Sequence, residues 1–392
     1  MIGTPTKVFL ALIAFTGLAF HTLMPVSAAP STKTVTLLRV PDEGIQPQAA
    51  VDEKGTIHLI YFKGRPSAGD IFYVHSKDGA TFSKPIRVNS KAESAMAIGN
   101  IRGAHLALGK NNRVHVAWMS GKLERIGDTK SAPMLYARLN DEGTAFEAQR
   151  NIIQEAMGLD GGGSVAADSD GNVYVTWHAP TPGEKGENNR RVWVAASADE
   201  GKTFSKEKSA FDEPTGACGC CGMRAFADKK GKVYMLYRAA KDSVDRDMYL
   251  LASDKKVQSY KGERLQGWKT EICPMSSGAL AESKAGVLAA WETKDQIYFS
   301  TIDSESGRLS AVLSAPGEGR GRKHPALAGN DKGETILVWT EGMGWERGGS
   351  LAWQVYDKTG KPTEEKGRAE GVPMWSLVAV VARPDGGFIV IY

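Results

Sequence analysis

Short apolar runs alternate with polar turn residues along most of the chain, at the spacing of strands rather than helices. Asp168-Ser169-Asp170-Gly171-Asn172-Val173-Tyr174-Val175-Thr176-Trp177 shows the unit. Asp-x-Asp-Gly supplies a turn, because Gly accepts φ > 0 and Asp hydrogen-bonds its own backbone. The β-branched and aromatic residues that follow alternate as in a strand packed on its faces. Equivalent runs span 57–61, 114–118, 233–237, 287–291, 335–339 and 388–392. They end on Tyr61, Trp118, Tyr237, Trp291, Trp339 and Tyr392, so the repeat period is 48 to 60 residues. A β unit repeated at that period predicts a propeller or a related array.

Each unit has a second half. After the aromatic comes a loop and another apolar run, at 71–75, 134–138, 192–196, 248–251, 297–300 and 351–355. A polar turn follows, and its fullest form is Ser197-Ala198-Asp199-Glu200-Gly201-Lys202-Thr203-Phe204. Residues 139–146 share the skeleton, Ser76-Lys77-Asp78-Gly79 begins a version one residue shorter, and the turns at Asp254, Asp303 and Asp357 are degraded. This Ser-x-Asp-x-Gly-x-Thr-aromatic pattern resembles the Asp-box of the sialidase (neuraminidase) superfamily, and the repeats resemble that family over most of residues 45–371. The resemblance implies an all-β propeller. It also implies that Ser76, Asp78, Asp141, Gly143, Ser197, Asp199, Gly201 and Phe204 fasten turns on the blade periphery rather than act on substrate. The Asp-x-x-x-Gly spacing lacks the acidic density of an EF-hand calcium loop.

The runs give seven first-and-second strand pairs but six third-and-fourth pairs. The unpartnered segment 34–40 is expected to join the last blade and remove its open edge. Seven blades follow, with the last incomplete; six is the alternative that the family resemblance implies.

Residues 1–28 read as an export signal: Lys7, an apolar run over 8–20, then Val26-Ser27-Ala28 as a small-residue cleavage pattern. A membrane anchor is the alternative, but the run is shorter than the ~20 residues that cross a bilayer. No later segment is apolar enough to span. One propeller domain over 32–392 is therefore expected in the periplasm or outside the cell, as a monomer. The net charge of +4 on 392 residues points to no nucleic-acid partner.

In a propeller the innermost strands line a central channel, and the loops leading into them surround one mouth. Arg102, Arg224 and Arg322, with Lys323 and His324 beside the last, fall in such loops. Convergent guanidinium groups would make a pocket for a carboxylate or sulfate, as in the arginine triad of sialidases. The plainer alternative is that they pair with local acids such as Asp160 and Glu346. The family resemblance also implies an arginine at the head of the first inner strand, where this chain has Gln46. A tyrosine nucleophile with its glutamate, and an acid to protonate the leaving group, are not identified. Catalysis is therefore left open. An acidic glycan or other small anion is the expected ligand, and a non-catalytic recognition module is the alternative.

The four cysteines are Cys218, Cys220, Cys221 and Cys273. They fall at matching places in the fourth and fifth blades and are expected to be neighbours. In an exported chain disulfides are the ordinary reading. The chain calls for no cofactor otherwise. The sharper alternative is a soft-metal or redox site, Cu or Zn, with Met223, Met275 or His324 nearby. His58 and His115 are read as packing residues. Trp345 and Trp375 are read as core aromatics, with sugar stacking as their other use. No phosphate-binding glycine loop, serine elbow or dinucleotide fingerprint occurs.

Overall fold

A computed structural model describes residues 1–3, 34–254 and 256–392. The chain divides into Met1–Lys33 and Thr34–Tyr392. The expected export signal lies outside the described residues apart from the first three. All that follows concerns the second unit.

The repeat fixes the architecture. Seven sheets form a seven-bladed β-propeller, six of them four-stranded antiparallel and the last three-stranded. The innermost strands are, in blade order, Ile45–Val51, His105–Leu108, Gly163–Ala167, Arg224–Ala227, Ala279–Ser283, Lys323–Gly329 and Ala379–Ala382. The seventh blade closes as the sequence predicted. Val35–Leu38 lies parallel to Phe388–Ile391, with Val35 opposite Phe388 and Leu38 opposite Ile391. The pairing occupies the edge that Phe388–Ile391 would otherwise leave open. Among the described residues no helix is long and apolar enough to cross a membrane.

In four of the blades the first two strands are joined by the same turn. The Oδ1 of Asp52 accepts the amides of Lys54 and Thr56 at 2.9 and 2.7 Å. Asp168, Asp228 and Asn330 repeat the pattern on the amides two and four residues ahead, at 2.9–3.0 Å. The outer turns use the Asp-box device. Asp199 accepts the Thr203 amide at 2.9 Å and the Ser197 hydroxyl at 2.6 Å, and Ser197 Oγ accepts the Gly201 amide at 2.9 Å. Asp78 takes the amides of Ala80 and Thr81, both at 2.8 Å. These bonds to the ionised form hold the Asp78 carboxyl at about 2. Phe204 sets its ring edge-on to Tyr136 across the blade boundary, with centroids 4.9 Å apart. Gly201 has φ +79°, and a Cβ there would meet the Tyr136 hydroxyl at 1.8 Å, so only glycine fits.

One expected member of this device is displaced. Asp141 does not fasten its turn. Asn140 does, accepting the amides of Thr144 and Ala145 at 2.9 and 3.2 Å. Asp141 is exposed and pairs with Arg113. The amide oxygen of Asn serves as well as a carboxylate, so the register slid by one residue without loss of the turn.

The core lies between adjacent sheets. The aromatics that end the second strands of the first six blades are buried, with Trp177 and Trp291 wholly so. Their indole N–H groups are satisfied from neighbouring segments: Trp118 by the Ser94 carbonyl at 3.2 Å, Trp177 by Ala156 at 3.0 Å and Trp291 by Gln266 at 2.8 Å. These three indoles bury large apolar area without leaving their donors orphaned.

Candidate functional site

The seven inner strands line a central channel of about 550 Å³. Its two mouths differ chemically. The strands end at the lower mouth, where Asp52, Glu53, Asp168, Asp228 and Glu282 line the opening. They begin at the upper mouth, and five of them are entered near a left-handed non-glycine residue: Gln46 (φ 54°), Asn100 (61°), Met275 (48°), His324 (49°) and Trp375 (61°). Such backbone is costly for residues other than Gly and Asn, and it concentrates at sites that hold side chains in set positions.

The loop before the second inner strand crosses the upper mouth and plugs it. Asn100 Nδ2 donates to the Ser376 carbonyl of blade seven at 2.7 Å and lies 3.4 Å from His324 Nε2 of blade six. A Cβ on Gly222 of blade four would touch Ile101 at 3.5 Å, and one on Gly162 of blade three would strike the Ile101 carbonyl at 2.7 Å. Glycine at those places lets the plug seat. Gln46, at the head of the first inner strand, anchors it from below by donating to the Ala97 and Trp375 carbonyls, both at 2.7 Å.

The plug separates the expected ligand arginines. Arg102 faces the rim and is bound by Asp160, with Nη2 to Oδ1 and Nε to the backbone oxygen both at 2.7 Å. Arg322 turns outward between blades five and six. It is 4 % exposed, bonds Glu341 at 3.2 Å and Gln296 at 2.9 Å, and stacks on Trp339 at 5.2 Å. Arg224 alone of the three lines the channel. It donates to Gln48 and lies 3.1 Å from His105 Nδ1. Among the described residues no carboxylate lies within ion-pair distance of it, and burial pulls its pKa down to about 10. Desolvation and the adjacent Arg224 cation hold the half-buried His105 well below the usual imidazole value, so it is neutral. The three guanidinium groups therefore do not converge.

Lys323 and His324 do come together, at a cleft beside the plug. Gly99, Asn100, Met275, Met343, Gly344, Trp345 and Trp375 complete its lining, and its volume is about 20 Å³. Lys323 Nζ donates to the Pro274 carbonyl at 2.6 Å. His324 is buried and neutral, its pKa pushed down to about 3 by burial and by Lys323. Its Nδ1 lies 3.1 Å from the Ser277 hydroxyl. Trp345 sits in a tight 344–347 turn, 54 % exposed, with its ring edge-on to Trp375 at 4.7 Å.

The cysteine loop, leading into blade four, is the densest chemistry on this face. Cys218 Sγ lies 3.3 Å from Cys220 Sγ and 3.4 Å from Cys221 Sγ. The three sulfurs all lie within 4.8 Å of one another. All the cysteines are free thiols, and Cys273 is exposed; it is not part of the trio. Met223 is buried in the core between blades three and four, and Met275 lines the cleft. Burial opposes ionisation of Cys221, but hydrogen bonds from Cys218 and Cys220 and the nearby Arg238 hold it well below the ordinary thiol range. The loop backbone is fixed without the sulfurs. The Cys218 amide donates to the Arg238 carbonyl at 2.9 Å, the Gly219 amide to Glu187 at 2.7 Å and the Gly222 amide to the Ser276 carbonyl at 3.0 Å.

Sequence reasoning passed over Arg238 and Glu292, beneath this loop. His178, Arg238 and Glu292 each follow the terminal aromatic of their blade, one position past the apolar run. Arg238 and Glu292 form a buried pair at 3.0 Å, with side chains 3 % and 1 % exposed. His178 is 1 % exposed, and neither ring nitrogen meets a hydrogen-bond partner. A polar residue at the same repeat position in three consecutive blades was the signal available.

No protein-family model matches the chain, and no curated protein matches it. Solved structures of similar fold do. A protein of unknown function from Dyadobacter fermentans aligns over 78 % of this chain and 93 % of its own at 14 % identity, with a TM-score of 0.51. An α-L-arabinanase from Penicillium chrysogenum aligns over 85 % and 94 % at 14 % identity and 0.45. The Hadza microbial sialidase Hz136 aligns over 81 % and 70 % at 13 % identity and 0.48. The chain's own sheets make it a seven-bladed propeller, and the first of these likenesses agrees with that fold.

Proposed function

We propose that the chain is an exported recognition propeller that binds the acidic end of a glycan at the cleft beside its plugged upper mouth. The observation that carries this reading is Trp345, a large ring left 54 % exposed on the rim of a pocket that contains Lys323. A pocket of about 20 Å³ has room for one small polar group such as a carboxylate rather than for a whole sugar ring. Lys323 and the amide of Asn100 suit that carboxylate, and the Trp345 face suits the apolar side of the attached ring. Binding without cleavage is favoured because no tyrosine is among the residues lining the cleft or the channel. The channel's acidic side chains also gather at the opposite mouth.

The test is calorimetric titration with sialyllactose and with oligogalacturonates, alongside a turnover assay on the same compounds. Binding without turnover is expected, weakened about tenfold or more by Trp345→Ala and by Lys323→Met, or ~1.4 kcal/mol each. Unchanged affinity in both variants, or no binding of any acidic glycan by the parent chain, would sink the reading.

A further inference from the structure

We infer that Cys218, Cys220 and Cys221 bind one thiophilic d10 metal ion, Zn(II) or Cu(I), with the neighbouring His178 drawn in as the fourth donor when the ion binds. The sulfur triangle is the first ground. Tetrahedral bonds of ~2.3 Å to sulfur place neighbouring sulfurs ~3.8 Å apart. Cys218 Sγ stands 3.3 and 3.4 Å from its two partners. A few tenths of an ångström of opening would admit an ion. A disulfide instead needs ~2.05 Å and joins two sulfurs, leaving the third of this cluster unexplained.

The second ground is independent of the sulfurs. His178 lies near the end of Val173–Pro180, the second strand of blade three, with both ring nitrogens buried and neither in full hydrogen-bond geometry, the Cys221 backbone being the polar group nearest to partnering it. Burying an imidazole in that state costs ~1–3 kcal/mol for each unsatisfied group. Its position joins it to the cysteine loop. A Cβ built on Gly161 would lie 2.7 Å from His178 Nε2 and 2.5 Å from the Gly219 carbonyl, so the ring and the loop flank one point. The backbone of Cys221 also lies alongside the ring. The three sulfurs are already gathered, and a shift of the His178 ring toward them would complete a Cys₃His donor set.

The third ground is preorganisation. The loop is tied down through Arg238, Glu187 and Ser276, and Gly219 is packed so tightly that a Cβ would meet Arg190 Nη1 at 1.9 Å. The protein holds the three sulfur donors in place by contacts that do not involve them. Binding would exchange the thiol protons for the ion and release them to water.

The experiment uses the full mature chain, reduced, freed of metal and then titrated with Zn(II), with Cu(I) held in a competing chelator, and with Co(II) as a spectroscopic stand-in. Uptake of one ion per chain is expected, with a sulfur-to-cobalt charge-transfer band. The bound ion should protect three of the four thiols from alkylation, leaving the exposed Cys273 reactive. Competition between Zn(II) and Cu(I) ranks the two ions at the site. His178→Gln should weaken binding about tenfold or more, with the metal-free variant unfolding at the same denaturant concentration as the parent. Failure of the reduced chain to take up either ion would overturn the assignment. So would equal reactivity of all four cysteines with metal present, or unchanged affinity in His178→Gln. The protection assay needs no variant, so it stands even if Cys220→Ser fails to fold. None of these readouts involves glycan, so the proposed recognition site stands or falls separately.

Discussion

His115 offers a stability measurement in which one buried group can be isolated. It lies on the second strand of blade two, 1 % exposed, with Nδ1 2.7 Å from the Tyr136 hydroxyl. Burial, with repulsion from Arg113 and Arg138, pushes its pKa down to about 3. In the unfolded chain an imidazole titrates near ~6.5. The folded state therefore refuses a proton that the unfolded state accepts. The stability contributed by keeping His115 neutral is present above about pH 6.5, and is lost as pH falls from there toward the folded pKa. The slope is ~1.4 kcal/mol per pH unit, so about 2 kcal/mol is lost between about pH 7 and about pH 5. His115→Gln keeps an amide near Tyr136 but cannot titrate. It should be less stable than the parent at about pH 7, by about 1–2 kcal/mol for the imperfect fit. The gap should then close by about 2 kcal/mol at about pH 5, because only the parent bears the proton penalty. Urea unfolding followed by tryptophan fluorescence at both pH values measures this. Every other titrating group is common to the two chains and cancels in the difference. A gap that stays constant with pH would refute the burial argument for His115.

Two further outcomes test the blade fasteners and the ring closure. Asn140→Ala should destabilise the chain by about 1 kcal/mol, the usual effect of losing a side chain that satisfies turn amides, while Asp141→Ala should do clearly less; denaturant midpoints of the pair decide it, and the reverse order would return the fastening role to Asp141. Deleting residues 1–40 removes Val35–Leu38 and exposes Phe388–Ile391 as an edge. The truncated chain should unfold at lower temperature and associate in light scattering, whereas a monodisperse product with the parent's midpoint would mean that the last blade does not depend on the N-terminal strand.

The repeat was legible because a strand ending on a buried aromatic must recur wherever a blade must pack on its neighbour. The same logic exposed the missing strand, since an unpaired edge is costly and segment 34–40 had no other partner. The outer turns were legible except at Asp141, where Asn140 and Asp141 are adjacent polar residues and only geometry tells which one faces the amides. The site was harder to read. Arg102, Arg224 and Arg322 do occupy equivalent stretches of sequence, but a loop's side chain can leave the mouth upward, inward or outward, and these three take one course each. Nothing in the periodicity encodes that choice. His178 carried a weak signal, a polar residue in a place that the first two blades fill with Phe62 and Met119, and its meaning depended on a loop some forty residues later in the chain.

The plug explains why the arginines separate and what that leaves for function. A ligand approaching from above meets Asn100 and Ile101 seated across the channel, held by blades one, three, four, six and seven. Arg224, beneath it, is reached from above only if that loop moves, or from below past the acidic lower mouth. An anion is repelled along the second route and blocked along the first. The unpaired Arg224 is accordingly read as a cation held for the channel's own polar side chains, Gln48 and His105. The proposed chemistry then falls to the upper face outside the plug. There the lysine-bearing cleft borders Asn100 and Gly222 of the cysteine loop packs on Ile101, so both proposed sites meet the central loop from outside and neither requires the channel to open.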